Sequence, residues 1–185
     1  MLMAEALDGA DRTDDAIREL QSAATIAPTE PVLHFELGYL YYKKAEYEQA
    51  NAELRLEVKN NPGYAQSYLY LGDIAMHSND SVTAEPLLKK ALELQGDLRL
   101  AYFDLGCIYS DQRKADEALA ALQRAVKLDP TQPDAHYRLA RLYSQTGQKL
   151  KASQEFAKTK KLHAKAQESL IQKVSGDHPD TPRQQ

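Results

Sequence analysis

A repeat of 34 residues constrains this chain more than any other feature. The 185-residue sequence can be shifted by 34 positions along most of its length without an insertion, and residues of the same type come back into line. Alanine recurs five times at one phase, and a leucine or phenylalanine follows four positions later: Ala16, Ala50, Ala84, Ala118 and Ala152, then Leu20, Leu54, Leu88, Leu122 and Phe156. A period of this length is typical of a solenoid built from stacked helical units.

Within each period the apolar residues follow helical spacing, which predicts two short amphipathic helices joined by a tight turn. Other phases carry a Leu-Gly pair, a tyrosine and a proline, as in Leu105, Gly106, Tyr109 and Pro130. This pattern resembles the tetratricopeptide repeat family. The tryptophan that is usual in that family is replaced here by other rings, and we expect the two histidines among them to pack in the core: His34, Tyr68, Tyr102 and His136.

The resemblance implies an all-α, right-handed α-solenoid of helix-turn-helix repeats. We predict about five units and a capping helix within one domain, residues 1–175, and a disordered tail, residues 176–185. The units span about 1–30, 31–64, 65–98, 99–132 and 133–166, and the cap spans about 166–174. The first unit lacks its first turn, which is expected if the chain comes from inside a longer array.

Some local features predict where helices begin and turn. Pro31 is expected at the first position of a helix, where its missing N–H costs nothing. Pro86 lies inside a helical pattern, so this helix is predicted to start late, near Thr83, or to kink. Asp11, Ala45 and Gly147 fall at the turn of their units. In the cap, three apolar residues are expected to cover the last unit: Leu170, Ile171 and Val174.

Composition narrows the classes of function. The net charge is -4, which offers no strong field for nucleic acid or for an acidic membrane. The single cysteine, Cys107, cannot form an internal disulfide, and no signal peptide or membrane span is visible, so we expect a cytoplasmic protein. The five histidines show no metal-ligand spacing, and no phosphate loop or nucleophile motif is present. We therefore expect no catalysis, no metal and no cofactor.

The resemblance implies that the first helices of successive units line a concave groove that receives a peptide or a partner's helix. Helical geometry places one arc of each first helix in this groove. The candidate contacts are Phe35, Tyr39, Tyr42, Leu69, Asp73, Met76, Phe103, Cys107, Tyr137 and Arg141. Tyr39, Tyr42, Asp73 and Arg141 are favoured as ligand contacts, because their polar ends have little reason to be buried.

Several alternatives stay open. Phe35, Tyr39 and Phe103 can instead pack against one another, and Cys107 can fill space as a small apolar residue. Family members that clamp the acidic tails of chaperones carry five Lys, Asn and Arg residues in the groove, of which only Arg141 is present here, so that ligand is disfavoured. A second hypothesis is a structural module that forms a homo-oligomer, or joins further repeats, through its N-terminal end.

Overall fold

The computed structural model of this chain describes residues 12–175, with side chains described through residue 171. Within that part the chain forms nine α-helices and no strand. They are α1 (Thr13–Ile26), α2 (Leu33–Lys43), α3 (Tyr47–Asn60), α4 (Ala65–His77), α5 (Ser81–Leu94), α6 (Arg99–Asp111), α7 (Ala115–Leu128), α8 (Pro133–Gln145) and α9 (Lys149–Ser175). The predicted first helix, the turn at Asp11 and the predicted tail lie outside the described residues.

The helices pack as successive antiparallel pairs, and the way these pairs stack defines two faces. The first helices α2, α4, α6 and α8 each contact the next first helix, whereas within the described part the second helices do not contact one another. Helices that touch lie on the shorter, inner side of a curved stack. The inner face is therefore formed by α2, α4, α6 and α8, and the fold is an all-α solenoid of helical repeats, as predicted.

Small residues set how closely the two helices of a unit approach. The recurring alanines are buried, and Ala118 has no exposed surface. The glycine of each Leu-Gly pair faces the recurring leucine of the second helix: a Cβ on Gly106 would lie 2.6 Å from Cγ of Leu122. Van der Waals packing therefore explains why these two phases keep their residue types.

We expect Gly106→Ala to destabilise the array by about 1–2 kcal/mol. Overpacking against Leu122 costs about 1–3 kcal/mol, and the better helix propensity of alanine returns up to about 1 kcal/mol. Urea denaturation followed by circular dichroism measures the change. Gly63→Ala is the control, because its Cβ would meet nothing closer than 4.0 Å. Equal stability of the two variants would show that this helix contact is not tight.

The two histidines at the tryptophan phase are buried and make the same contacts three repeats apart. In His34, Nδ1 lies 2.7 Å from Oε2 of Glu53 and Nε2 lies 2.8 Å from the Pro28 carbonyl oxygen. In His136, Nδ1 lies 2.5 Å from Oε2 of Glu155 and Nε2 lies 3.0 Å from the Pro130 carbonyl oxygen. Each ring thus joins the two helices of its unit to the preceding loop, and the expectation that they pack in the core is confirmed.

The turn between the two helices of a unit has left-handed backbone, and this recurs every 34 residues. The φ angles are +58° at Ala45, +56° at Asn79, +60° at Arg113 and +77° at Gly147. Glycine adopts this conformation without strain, whereas alanine and arginine do so at a cost of about 1–2 kcal/mol. The turn geometry is therefore imposed by the packing of the helix pair.

The predicted role of Pro31 is wrong, because α2 begins two residues later, at Leu33. Val32 adopts left-handed backbone with φ +71°, and its N–H donates to Oε1 of Glu57 over 2.9 Å. Glu57 is fully buried, at a phase where the next two repeats carry Ala91 and Ala125. The hydrogen bond to the buried Glu57 carboxyl holds the Val32 N–H outside the helix, so α2 starts at Leu33. At the equivalent place in the fifth unit, Pro133 is the first residue of α8.

The predicted late start near Thr83 is also wrong. Helix α5 begins at Ser81, because the Asp80 side chain caps it by accepting the N–H of Thr83 over 3.0 Å. Pro86 is therefore inside the helix, where it lacks the N–H that would bond the Val82 carbonyl. Val82 is 85% exposed, so water has access to this part of the helix.

Residues 166–174 are helical, as predicted, but the predicted role of this segment as a cap on the last unit is wrong. Helix α9 runs without a break from Lys149 to Ser175, and this stretch contains no glycine or proline. Earlier second helices end before Pro28, Pro62, Gly96 or Pro130, whereas the fifth unit has Ala164 at that phase. Because the helix continues, Leu170 and Ile171 are 61% and 63% exposed and cover nothing. The side chain of Val174 is outside the described part.

Candidate functional site on the inner face

The ten predicted groove residues all lie on α2, α4, α6 and α8, but they differ in exposure. Four are buried: Phe35, Leu69, Asp73 and Cys107. Four are half-buried: Tyr39, Tyr42, Met76 and Phe103. Tyr137 and Arg141 are exposed. The accessible part of the inner face is therefore smaller than the sequence pattern predicts.

The N-terminal part of the inner face is an aromatic cluster, which we define as Phe35, Tyr39, Tyr42, Tyr47, Tyr64 and Tyr70. Phe35 is at its centre, with ring centroids 4.9 Å from Tyr64 and 5.9 Å from Tyr70. Tyr70 in turn lies 5.2 Å from Tyr39 and 4.9 Å from Tyr42. The rings thus pack against one another across two repeats, which was the open alternative for Phe35 and Tyr39. The five tyrosines of the cluster remain half-buried, so part of each is accessible.

Asp73 is tied to this cluster and is not a free ligand contact. The hydroxyl of Tyr42 donates to Oδ2 of Asp73, and Nε2 of His77 lies 3.5 Å from the same oxygen. Burial, followed by the hydrogen bond to Asp73, raises the pKa of Tyr42 far above its usual value. The expectation that the polar end of Asp73 is exposed is wrong, because a neighbouring repeat supplies its hydrogen-bond donor.

Asp104 on α6 lies next to this pair and is the most unusual polar group of the inner face. It is 4% exposed, and its Oδ2 has no hydrogen-bond partner among the described residues. Burial, with a further contribution from the nearby Asp73 carboxylate, raises the pKa of Asp104 to about 8. Arg99 lowers this pKa but bonds Asp134, over 3.0 Å. Asp104 is thus largely protonated at neutral pH.

The C-terminal part of the inner face is more open and presents two arginines and an aspartate. Ser110, Asp111, Arg138, Arg141, Leu142 and Gln145 line a small pocket between α6 and α8. Beside it the exposed Tyr137 makes an edge-to-face contact with Phe156 of α9, with centroids 6.0 Å apart. In this unit Ala140 replaces the glycine, so Phe156 cannot pack as the leucines do, and it is 40% exposed.

Cys107 is 6% exposed, and burial raises the pKa of its thiol to about 11. A thiol in this state is a poor nucleophile. Its surroundings fit the interpretation that it fills space.

Sequence reasoning missed three residues that occupy one phase of the repeat: Tyr70, Asp104 and Arg138. At 100° per residue this phase lies only about 20° from that of His77 and Asp111, which helical geometry places at the edge of the groove arc. A slightly wider arc would have included the three missed residues. Tyr47 and Tyr64 lie outside the first helices, at the start of α3 and just before α4, so only the packing of the repeats could reveal them.

Two searches of the described residues bear on other kinds of site. No group of three or more His, Cys, Asp or Glu side chains there is arranged to hold a metal ion. None of the described helices combines the length and the apolar character needed to cross a membrane.

Similarity to known sequences follows the repeat. Models of the tetratricopeptide repeat match residues 35–98 and 133–165, and a TPR repeat model matches residues 106–147. Human protein O-mannosyl-transferase TMTC3 is 34% identical over 82 residues, which are 44% of this chain and 9% of that protein. The TPR repeat-containing protein YpiA of Bacillus subtilis is 23% identical over 141 residues, 76% of this chain and 33% of its own length. The chain thus spans a third or less of these relatives.

Solved structures share the architecture at low sequence identity. MamA from Desulfovibrio magneticus RS-1 is 20% identical, with a TM-score of 0.75 over 88% of this chain and 92% of its own. YrrB, described as a TPR protein with an unusual peptide-binding site, is 20% identical, with a TM-score of 0.69 over 92% of this chain and 88% of its own. Such likeness concerns the fold. The three repeat models, together with the stacked helix pairs, show that this chain belongs to the tetratricopeptide repeat family.

Proposed function

We propose that this chain is a non-catalytic protein-interaction module whose inner face binds a peptide or a helix of a partner protein. Proteins of this family are in general scaffolds, and one structural neighbour, YrrB, is described as having a peptide-binding site. The observation that carries the proposal is the chemistry of the inner face. Aromatic edges, a buried carboxyl and two exposed arginines follow one another along α2, α4, α6 and α8.

Two arginines of this surface are accessible to a ligand. Arg138 and Arg141 are exposed beside a pocket, and neither forms an ion pair with another described residue. Arginine and tyrosine are the residue types that most often dominate binding energy at interfaces. A mixed surface of this kind favours a peptide with apolar anchors toward the N-terminal part and a polar or acidic residue toward the C-terminal part.

The test is selection of displayed random dodecapeptides on the immobilised protein, followed by affinity measurement with variants. We expect Arg138→Glu with Arg141→Glu to weaken the selected peptides at least 10-fold, as loss of a central anchor does.

The matched control is Lys59→Glu with Lys127→Glu, which makes the same charge change on the exposed outer helices α3 and α7. Circular dichroism checks that all variants are folded. If both double variants weaken binding equally, or if no peptide is selected, the inner face is not the binding site. The alternative of assembly through the N-terminal end concerns residues outside the described part and rests on the sequence.

A further inference from the structure

Carboxyl groups from three successive repeats come together at the centre of the inner face. Asp73 lies on α4, Asp104 on α6 and Asp134 on α8, and both Asp73 and Asp134 act electrostatically on Asp104. Arg99 also faces Asp104, but its guanidinium bonds both oxygens of Asp134, over 3.0 and 3.2 Å. Arg99 is thus engaged with Asp134, and Asp73 is held by Tyr42 with His77 3.5 Å away. Oδ2 of Asp104 is left without a donor among the described residues.

Three buried side-chain atoms in the described part lack a partner, Oε2 of Glu57, Oγ of Ser67 and Oδ2 of Asp104, and Asp104 stands out because other carboxyl groups act on it. The side chain is more than nine-tenths buried, and its Oδ2 has no donor among the described residues. A buried polar atom without a partner is rare in native proteins and costs stability, so it calls for an explanation. A ligand that brings its own donors into the groove would satisfy it.

The rings around the two carboxyl groups suit a cation. Tyr42 donates to Asp73 and packs edge-on against Tyr70, which itself lies close enough to Asp73 for the carboxylate to add to the effect of burial in raising its pKa. The Arg99 guanidinium already lies 5.8 Å from the centre of the Phe103 ring. Aromatic faces next to carboxylates attract ammonium and guanidinium groups.

From these contacts, and resting on the groove function proposed above, we infer that Asp104 and Asp73 form a subsite for a cationic side chain, lysine or arginine, of the bound peptide. The ammonium or guanidinium group donates to the unpaired Oδ2 of Asp104 and is flanked by Tyr42 and Tyr70. This selectivity is opposite in sign to the clamping of an acidic tail.

Binding of a cation should be coupled to release of a proton. Asp104 holds a proton at neutral pH because of its burial and because of Asp73, and a cation beside it favours the ionised form. The charged and titratable groups that face Asp104 are Asp73, Arg99, Asp134 and, on its own helix, Cys107. Release of up to about one proton per peptide at pH 7 is therefore expected.

The experiment uses the dodecapeptides selected on the full chain. We expect a shared lysine or arginine, and replacing it by norleucine should weaken binding at least 10-fold. Asp104→Asn should weaken the parent peptide to a similar extent and abolish proton release, measured by calorimetry in buffers of different ionisation enthalpy. Asp116→Asn, the same charge change at an exposed site on α7, should change affinity less than 3-fold.

The outcomes separate this inference from the proposed function. Peptides that need Arg138 and Arg141 but bind equally well with norleucine would overturn the cation subsite and leave the groove function standing. If Asp104→Asn and Asp116→Asn weakened peptide binding equally, the effect would come from the change in net charge. That result would also overturn the subsite. Selection of no groove-dependent peptide would overturn both. Comparison of lysine with arginine at the shared position identifies which cation is preferred.

Discussion

Asp104→Asn is expected to raise the free energy of unfolding at pH 7 by about 1–3 kcal/mol, because it removes a buried acid that must keep its proton in the folded state. The pKa of Asp104 is raised to about 8 in the folded chain, from an ordinary value of 3.8. Between these values the unfolded chain binds fewer protons than the folded chain. The contribution of Asp104 to stability therefore falls as the pH rises, by at most about 1.4 kcal/mol per pH unit.

The stability difference between the wild type and Asp104→Asn should depend on pH in one direction. Below about pH 4 both states hold the proton, so the difference between wild type and variant should be small, and above about pH 8 it should level off. Urea denaturation at several pH values, with Asp116→Asn as the exposed control, measures the difference. A difference that does not change with pH would mean that Asp104 is ionised in the folded chain. Together with weaker peptide binding, a more stable variant would mark Asp104 as a residue kept for function at the expense of stability.

His136→Ala is expected to cost about 3 kcal/mol, because it removes a buried ring and leaves Oε2 of the half-buried Glu155 and the Pro130 carbonyl without their donors. That carbonyl can only accept, so Nε2 of His136 carries a proton. Nδ1 faces the Glu155 carboxyl over 2.5 Å, so a second proton must lie between them. Burial raises the pKa of Glu155, but Lys158 and His136 outweigh it and hold this pKa below its usual value. Glu155 is therefore ionised at neutral pH.

Glu155→Gln is the matched comparison. Its amide N–H₂ can donate to Nδ1 of a neutral ring, and its amide oxygen can accept from Lys158, which bonds Oε1 over 2.8 Å in the parent chain. We expect it to cost less than about 1 kcal/mol. Urea denaturation of both variants measures the two effects. If both changes cost the same, the contribution of His136 is packing volume and not the hydrogen-bonded bridge.

The inner face was only partly predictable from the sequence. Periodicity placed all ten candidates on the first helices, because their phase within the repeat is set by helical geometry. Exposure was not predictable, since it depends on rings from the next repeat. Tyr42 of the second unit donates to Asp73 of the third unit. Tyr64, which precedes α4, packs edge-to-face against Phe35. The position of a residue within its own repeat does not show which side chains of the next repeat will cover it.

The sequence by itself determined the fold: a 34-residue period with small residues at two phases specifies paired helices that must stack, because one unit alone cannot bury its apolar side. Only the tertiary structure decided which irregularities matter. Glu57, which bonds Val32 from the next helix, shifted the start of α2. The other two irregularities have local causes: the Asp80 cap places Pro86 inside α5, and the absence of a proline at position 164 lets α9 continue. The tertiary structure also left Asp104 buried without a donor, since the groups that surround a carboxyl, and hence its charge, come from three different repeats.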